Sequence, residues 1–257
     1  GVSWARRLCI RDSYKAPSQD QYGNVSRTFK DYDEIASKLL SLPSVKGSAP
    51  LIRSQIMATF DNRNTGLEVF GISYENLLRL DRIAKPEEFE GDMNDFKNGI
   101  AIGSGDAREL GVKVGDSIKL ISPNGVRTAF GTSPRVKQFK IVYIFTAGRY
   151  DIDRTRSYLP FSVAQEYFNR EGLADEIEVL LNNPSNLTEA TSQIENVVAP
   201  DIQLWTWRDA SSSFLRALEI EDNVMFVLMS ILVMIASMNI ISGLIMLVKN
   251  KGRDIGI

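Results

Sequence analysis

Helical and strand-like patterns of apolar residues alternate along the first part of the chain. Residues 31–42 carry apolar side chains at helical spacing, with Asp31 and Glu34 placed as in a capping box. Every second residue is apolar across 52–60, and a further apolar run at 67–72 follows a polar turn. This part of the chain is therefore predicted to form one helix followed by a two-stranded hairpin.

A similar alternation returns near the end of the polar region. Residues 176–181 indicate a strand, Asn186 begins a run at helical spacing, and residues 202–207 indicate another strand. The intervening residues 91–170 carry short apolar runs, and Gly111 is predicted to end a short helix there. We predict an α+β fold, in which a split α/β sandwich carries an inserted, mostly β subdomain.

Residues 224–248 form a run of 25 residues without a charge. As a helix this run would be about 37 Å long, enough to cross a hydrocarbon core of about 30 Å. It contains Asn239, Ser242 and Gly243, and small or polar residues inside a membrane span usually face other helices. The sequence therefore predicts one transmembrane helix that packs against helical partners through these three residues.

Charges on either side of this helix predict its orientation. Lys249, Lys251 and Arg253 follow it, whereas acidic residues precede it. Because lysine and arginine concentrate on the cytoplasmic side, the preceding domain is predicted to be periplasmic. The first 30 residues show neither a signal peptide nor a second span, so we expect the chain to be a fragment with an upstream span outside it.

The amino-acid composition excludes several kinds of functional site. The chain has 257 residues, a net charge of −2, one cysteine and no histidine. These counts exclude an internal disulfide, the common zinc sites and a Ser-His-Asp triad, and they argue against a nucleic-acid-binding protein. The glycine-rich run at 102–111 lacks the end of a phosphate-binding loop. Asp151 and Asp153, which lie among arginines, are interpreted as a solvated turn; no catalytic residue and no metal site are predicted.

The segment 123–139 is an unusual connection. It lies between predicted strands at 117–122 and 139–145, and it is longer than most hairpin loops. It contains Phe130, two prolines and three cations but no acid. Two interpretations stay open from these residues alone: a loop that binds a partner, and a loop whose Phe130 packs on its own sheet.

Several motifs together resemble one family, the lipoprotein-releasing permease subunits of the LolC/LolE type, which belong to the MacB-like class of ABC transporters. The motifs are DYDEI at 31–35 with LPSV at 42–45, IAIG at 100–103 with LGVKVGD at 110–116, AFGTSPR at 129–135, WRD at 207–209, NVMF at 223–226 with NIIS at 239–242, and KGRDIGI at 251–257.

The resemblance implies a division of the chain into consecutive parts. They are an atypical N-terminal segment at 1–27, the first half of a Porter-like part at 28–90, an inserted Sabre-like part at 91–170, the second half of the Porter-like part at 171–208, a stalk helix at 209–223, the transmembrane helix at 224–248 and the start of a cytoplasmic segment at 249–257. A complete subunit of this type would have four spans, of which this sequence holds the second.

The resemblance also implies a β-hairpin hook at 124–134, in the Sabre-like part, that recruits a LolA-like periplasmic chaperone. Its expected contact residues are Asn124, Val126, Arg127, Phe130, Pro134 and Arg135. On the cytoplasmic side, the segment that approaches the ATPase would begin with Lys251, Arg253 and Asp254.

The implied function is mechanical and not enzymatic. The chain itself would need no cofactor, since ATP and Mg²⁺ would bind a separate LolD-like ATPase subunit. The other expected partners are a second permease subunit or a second copy of the chain, lipoprotein substrates and the inner membrane, with no nucleic acid. Two alternatives are a MacB- or FtsX-like mechanotransmission subunit, for efflux or cell-wall hydrolase activation, and a membrane-anchored periplasmic enzyme.

Overall fold

The structure is a computed structural model that divides the chain into two compact units, residues 1–206 and 207–257. It describes residues 7–12, 18–19, 25–26, 28, 30–128, 131–183, 186–198, 202–206 and 212–254, and side chains at 28, 30–123, 133–183, 186–198, 204–206 and 220–249.

The first unit contains seven described α-helices and twelve described strands. The helices are α1 Tyr32–Leu40, α2 Tyr74–Leu77, α3 Asp81–Ala84, α4 Ser104–Leu110, α5 Tyr150–Asp153, α6 Phe161–Tyr167 and α7 Leu187–Glu195, with a 3₁₀ helix at Met93–Asn98. The strands are β1 Arg7–Asp12, β2 Ser18–Gln19, β3 Val25–Ser26, β4 Val45–Phe60, β5 Arg63–Ile72, β6 Glu88–Gly91, β7 Ile100–Gly103, β8 Ser117–Thr128, β9 Gly131–Thr146, β10 Arg156–Pro160, β11 Glu176–Leu181 and β12 Ile202–Trp205.

Strand β4 belongs to two parts of one large sheet. Its first half, up to Leu51, pairs with β11, which continues to β1 and β12, all antiparallel. Helix α1 packs on this half, with Leu39 buried. The predicted strand 176–181 is confirmed, and the predicted helix after Asn186 begins where expected. Asp31 does precede α1, but its side chain makes no capping hydrogen bond, so the predicted capping box is wrong.

The second half of β4 closes a ring of six strands. In order around the ring these are β4, β5, β10, β7, β9 and β8, and β8 pairs back onto β4. One apolar cluster takes a buried residue from every strand of the ring, together with residues of α4 and α6. Gly111 ends α4 in the left-handed conformation (φ 72°), as its position predicts.

The strand pairing does not follow the division predicted at residue 90. Strand β5, predicted to belong to the Porter-like part, pairs in parallel with β10 from the Sabre-like range. The second half of β4 likewise pairs with β8. The hairpin of β4 and β5 is thus built into the ring, and the names of the two parts remain predictions.

The second unit contains one long helix, α8, Ser212–Asp254. Its stretch Ile220–Lys249 has a mean hydropathy of 2.5, and no part of its most apolar window is buried within the chain. This stretch contains the predicted span 224–248. Among the described residues it is the single helix long and apolar enough to cross a membrane.

Candidate partner-binding site

The segment predicted as a long loop is mostly a β-hairpin. Strand β8 continues to Thr128 and β9 starts at Gly131, and these two residues are paired. The loop that the residues alone predicted across 123–139 is therefore wrong for the backbone, which stays in ladder pairing almost to the tip, whereas the β-hairpin that the resemblance implied agrees with this pairing. Residues 129 and 130, including Phe130, lie outside the described residues, as do the side chains of Asn124, Val126 and Arg127.

A bulge divides this hairpin into a root and a tip. The last pair of the root is Ser122 with Arg135, and the first pair of the tip is Val126 with Ser133. Three residues, Pro123 to Gly125, therefore oppose the single residue Pro134. Proline has no N–H to give to a ladder, so two prolines are accommodated at the one place where pairing is interrupted.

The root of the hairpin is bonded to the C-terminal end of α6. The Arg135 guanidinium donates from Nη1 to the carbonyl oxygens of Glu166 (2.9 Å) and Tyr167 (3.0 Å). In return the Tyr167 hydroxyl donates to the Leu120 carbonyl (2.8 Å) and lies 3.3 Å from the Arg135 carbonyl. Lys137 Nζ lies 3.1 Å from Glu166 Oε1, between exposed side chains. Each strand of the root is thus bonded to the same helix end.

Burial makes the Tyr167 side chain a fixed part of this arrangement. The residue is 1% exposed, and its ring meets Phe139 edge to face with centroids 5.5 Å apart. Burial raises the pKa of Tyr167 to about 12, so the hydroxyl remains a proton donor throughout the physiological pH range.

A partly exposed apolar row crosses three strands at the level of the root. Met57 of β4 pairs with Ile121 of β8, which pairs with Val136 of β9. Directly paired residues lie on one face of a sheet, and Met57 and Val136 are 49% and 55% exposed. The sequence analysis did not predict this row, although strict alternation along β4 puts Met57 and the buried Ile56 on opposite faces of the sheet. The row also requires β4 to pair with the distant strand β8, and no pattern within either strand predicts that pairing.

The remaining predicted site residues are spread over the second unit. Asn239, Ser242 and Gly243 all lie within α8, in its apolar stretch. Lys251, Arg253 and Asp254 belong to the last turn of α8, and their side chains are outside the described residues. The structure therefore places the predicted hook in one unit and the predicted packing and ATPase-side residues in the other.

A pocket of about 480 Å³ lies between α4 and α5, away from the hairpin. It is lined in part by Glu109, Tyr150 and Arg154, and Arg154 donates to Glu109 at 3.0–3.1 Å.

Asp153, interpreted from sequence as solvated, is 7% exposed and accepts hydrogen bonds from two backbone N–H groups. Within the described ranges, no group of three or more acidic or cysteine side chains could hold a metal ion.

The chain belongs to the family of proteins with a MacB-like periplasmic core domain: the family model matches residues 10–197, most of the first unit. Among curated proteins, it is 24% identical to the lipoprotein-releasing system transmembrane protein LolC of Neisseria meningitidis serogroup B, over 92% of this chain and 58% of that protein. It is 26% identical to the LolE protein of Haemophilus influenzae, over 90% of this chain and 56% of that protein.

Among solved structures, the periplasmic region of MacB from Actinobacillus actinomycetemcomitans aligns with a TM-score of 0.49 and 11% identity, over 83% of this chain and 92% of that one. The predicted resemblance to LolC/LolE-type members of the MacB-like class is confirmed, and so is the predicted fold class. The chain spans little more than half the length of these curated relatives.

Proposed function

We propose that this chain is part of a non-catalytic membrane subunit of an ATP-driven lipoprotein-releasing complex. The proposal is supported by the family, by relatives that are named as transmembrane proteins of lipoprotein-releasing systems, and by the apolar stretch of α8. ATP and Mg²⁺ would be bound by a separate LolD-like ATPase, and a second permease subunit or a second copy would complete the membrane part. The complex would extract lipoproteins from the inner membrane.

The proposed role of the first unit is to receive a LolA-like chaperone at the hairpin of β8 and β9. The observation that carries this is a hairpin whose pairing continues beyond a bulge, away from a root bonded to α6. A preformed hairpin loses little conformational freedom on binding. Phe130 would be the anchor, and Asn124, Val126, Arg127 and Pro134 would add further contacts. The partly exposed row of Met57, Ile121 and Val136 would extend the contact.

The proposed role of α8 is to connect this periplasmic unit with the ATPase side. A helix from Ser212 to Asp254 is about 65 Å long at 1.5 Å per residue, longer than the hydrocarbon core. We place its C-terminal end, with Lys249, Lys251 and Arg253, in the cytoplasm by the distribution of cations. Movements of the ATPase would then reach the periplasmic side through one continuous helix.

The experiment that tests the chaperone role is the substitution Phe130→Ala. A buried aromatic anchor carries a large share of interface energy, so we expect a loss of about 2 kcal/mol in affinity, roughly thirtyfold. Affinity for a LolA-like chaperone of the same organism would be measured by calorimetry, and the melting temperature by circular dichroism. Arg127→Glu should act mainly by slowing association, with a stronger effect at low salt.

Phe89→Ala is the matched control, because Phe89 is a 60% exposed aromatic residue on the edge strand β6. It should bind the chaperone as the unmodified chain does. If Phe130→Ala instead lowers the melting temperature while chaperone affinity stays normal, Phe130 packs on its own sheet and the hook assignment is wrong. If the unmodified chain does not bind the chaperone, a related mechanotransmission subunit becomes the better account.

A further inference from the structure

The bonds between the hairpin root and α6 are reciprocal. The side chain of Arg135 donates to the backbone of Tyr167, while the hydroxyl of Tyr167 lies within hydrogen-bonding distance of the backbone carbonyl of Arg135. The same hydroxyl donates to Leu120 on the other strand of the root. Neither strand can therefore move away from α6 without the loss of a hydrogen bond.

These bonds use carbonyl groups at the end of α6, of which that of Glu166 also accepts the N–H of Asn169 at 3.3 Å, just beyond the helix. The last four carbonyl groups of a helix lack intrahelical donors, and Arg135 supplies a charged donor to two of them. By contrast, the ion pair of Lys137 with Glu166 joins side chains that are 40% and 66% exposed, and such pairs contribute little. The restraint on the root therefore depends on Arg135 and Tyr167 and much less on Lys137.

Arg135 also occupies a special position along the hairpin. It forms the last pair of the root, with Ser122, and the next residue, Pro134, is the single residue opposite the bulge. A bulge bends a strand and increases its local twist, so the direction of the tip depends on how the last root pair is held. The residue that holds this pair against α6 is Arg135.

We infer that Arg135 is a positioning residue, which fixes the direction in which the hairpin tip leaves the ring of strands through its bonds to the end of α6. This differs from the expectation that Arg135 contacts a partner directly. Only its consequence for binding rests on the proposed chaperone function. The positioning itself is a property of the chain alone, so it can be tested without any partner.

The test measures distances between spin labels at Thr128→Cys, in the tip, and Lys97→Cys, on the exposed 3₁₀ helix of the same unit, in a Cys9→Ser background. We expect one narrow distance distribution for the otherwise unmodified chain. Arg135→Gln should broaden and shift it, because the glutamine side chain is shorter than that of arginine and supplies no charged donor to the two carbonyls. Tyr167→Phe, which keeps the buried ring, should broaden it as well. Lys137→Gln is the control and should leave the distribution unchanged.

Chaperone affinity of the same variants separates this inference from the proposed function. If Arg135→Gln and Tyr167→Phe leave the distances unchanged, Arg135 is not a positioning residue, and any loss of binding in Arg135→Gln then marks it as a direct contact. If both variants broaden the distribution while the unmodified chain binds no chaperone, the positioning role stands and the proposed function fails. If both hold, the two variants should weaken binding and Lys137→Gln should not.

Discussion

Among the carboxyl groups that are withdrawn from water in the first unit, Asp175 and Asp106 have opposite surroundings. Asp175, just before β11, accepts the backbone N–H of Arg53 at 2.8 Å and forms an ion pair with Arg170. Asp106, in α4, is fully buried, and neither of its oxygens has a hydrogen-bond partner among the described residues. A buried carboxyl group is therefore tolerated for two different reasons. Asp175 bonds neighbouring groups of the fold, whereas Asp106 loses its charge.

The use of Asp175 follows from the path of β4. Leu51 is the last residue of β4 that pairs with β11, and its carbonyl accepts the N–H of Asp175 at 2.9 Å. Beyond it, the same edge of β4 presents the N–H and carbonyl of Arg53. The Asp175 carboxylate accepts the N–H of Arg53, and Arg170 donates to the Arg53 carbonyl at 3.3 Å. Two side chains thus satisfy the strand edge between its pairing with β11 and its pairing with β8.

The Asp106 carboxyl group bonds no neighbouring group among the described residues, and its protonation follows from its environment. The pKa of Asp106 is raised to about 8, chiefly by burial; the nearby carboxylates of Glu109 and Asp153 add to the rise, and Arg154 opposes it. At neutral pH the group is therefore mostly the uncharged acid. A neutral carboxyl group without a partner still costs about 1–3 kcal/mol relative to a satisfied one.

The largest effect is expected for Asp175→Ala. This substitution leaves Arg170 charged in a site where its side chain is only 15% exposed, and it removes the acceptor of the Arg53 N–H. Breaking a buried pair in this way typically costs about 3–5 kcal/mol in the free energy of unfolding. Urea denaturation would measure it.

Asp151→Ala is the matched control for that change. Asp151 also pairs with an arginine, Arg149, at 2.8 Å, but its side chain is 62% exposed. Its loss should lower the free energy of unfolding by at most about 1 kcal/mol. Equal effects of the two substitutions would mean that the Asp175 pair is no better protected from water than the exposed one.

A pH-dependent effect, which becomes large only towards pH 8, is expected at Asp106. Its folded-state pKa of about 8 lies above the ordinary value of 3.8, so the unfolded chain releases this proton first as pH rises. The free energy of unfolding should therefore fall between about pH 4 and pH 8, by at most roughly 5 kcal/mol, and level off above. Asp106→Asn should remove this part of the pH dependence and be the more stable form at about pH 8.

The measurement is the melting temperature of both proteins across that pH range, with the exposed Asp95→Asn as control. The curves of the unmodified chain and of Asp106→Asn should meet at the acidic end and separate as pH rises. Parallel curves would mean that Asp106 titrates as an exposed acid does. A destabilised Asp106→Asn at high pH would indicate a partner for the carboxylate.

The smallest effect is expected in α8. Polar side chains in its apolar stretch again differ in whether they have a hydrogen-bond partner nearby. Ser230 and Ser237 donate to carbonyls one turn earlier, Phe226 and Val233, both at 2.8 Å, so their hydroxyls are satisfied within the helix. Asn239 is expected to bond a neighbouring helix. Asn239→Leu should weaken association of the membrane subunits by about 0.6–2 kcal/mol.

Recovery of the assembled subunits in mild detergent, compared across variants, measures this effect. Ser237→Ala serves as the control and should assemble normally, because its hydroxyl already has an acceptor in its own helix. Undiminished assembly of Asn239→Leu would show that Asn239 does not contribute to helix packing.

Periodicity predicted the elements that are amphipathic and local. The strand 176–181 and the end of α4 at Gly111 follow from residues that are adjacent in sequence. The ring of strands does not, because the parallel pairing of β5 with β10 joins residues that are far apart in the chain. Nothing in either strand's own alternation specifies which distant strand lies beside it.

The residues alone predicted a loop in place of the hairpin for a different reason, whereas the β-hairpin that the resemblance implied agrees with the observed pairing. Pro123 and Pro134 are ordinarily signs of a loop, since each lacks a donor for a strand ladder. Here they lie opposite each other across one bulge, so neither removes a ladder hydrogen bond. Arg135 appeared unpaired because its acceptors are backbone carbonyls of α6, 31 and 32 residues later. Backbone acceptors at a helix end cannot be found by counting acidic side chains.

The bulge also gives the hairpin a modular character. The register of the root is set by the pairs up to Ser122 with Arg135, whereas the tip has its own register, which starts at Val126 with Ser133. Because the unequal number of residues between them separates the two registers, the segment 126–133 can be exchanged for another hairpin without turning the inward-facing residues of the root outward. Under the proposed function, replacement of this short segment would change the partner that is recognised, while the ring of strands keeps one sequence pattern.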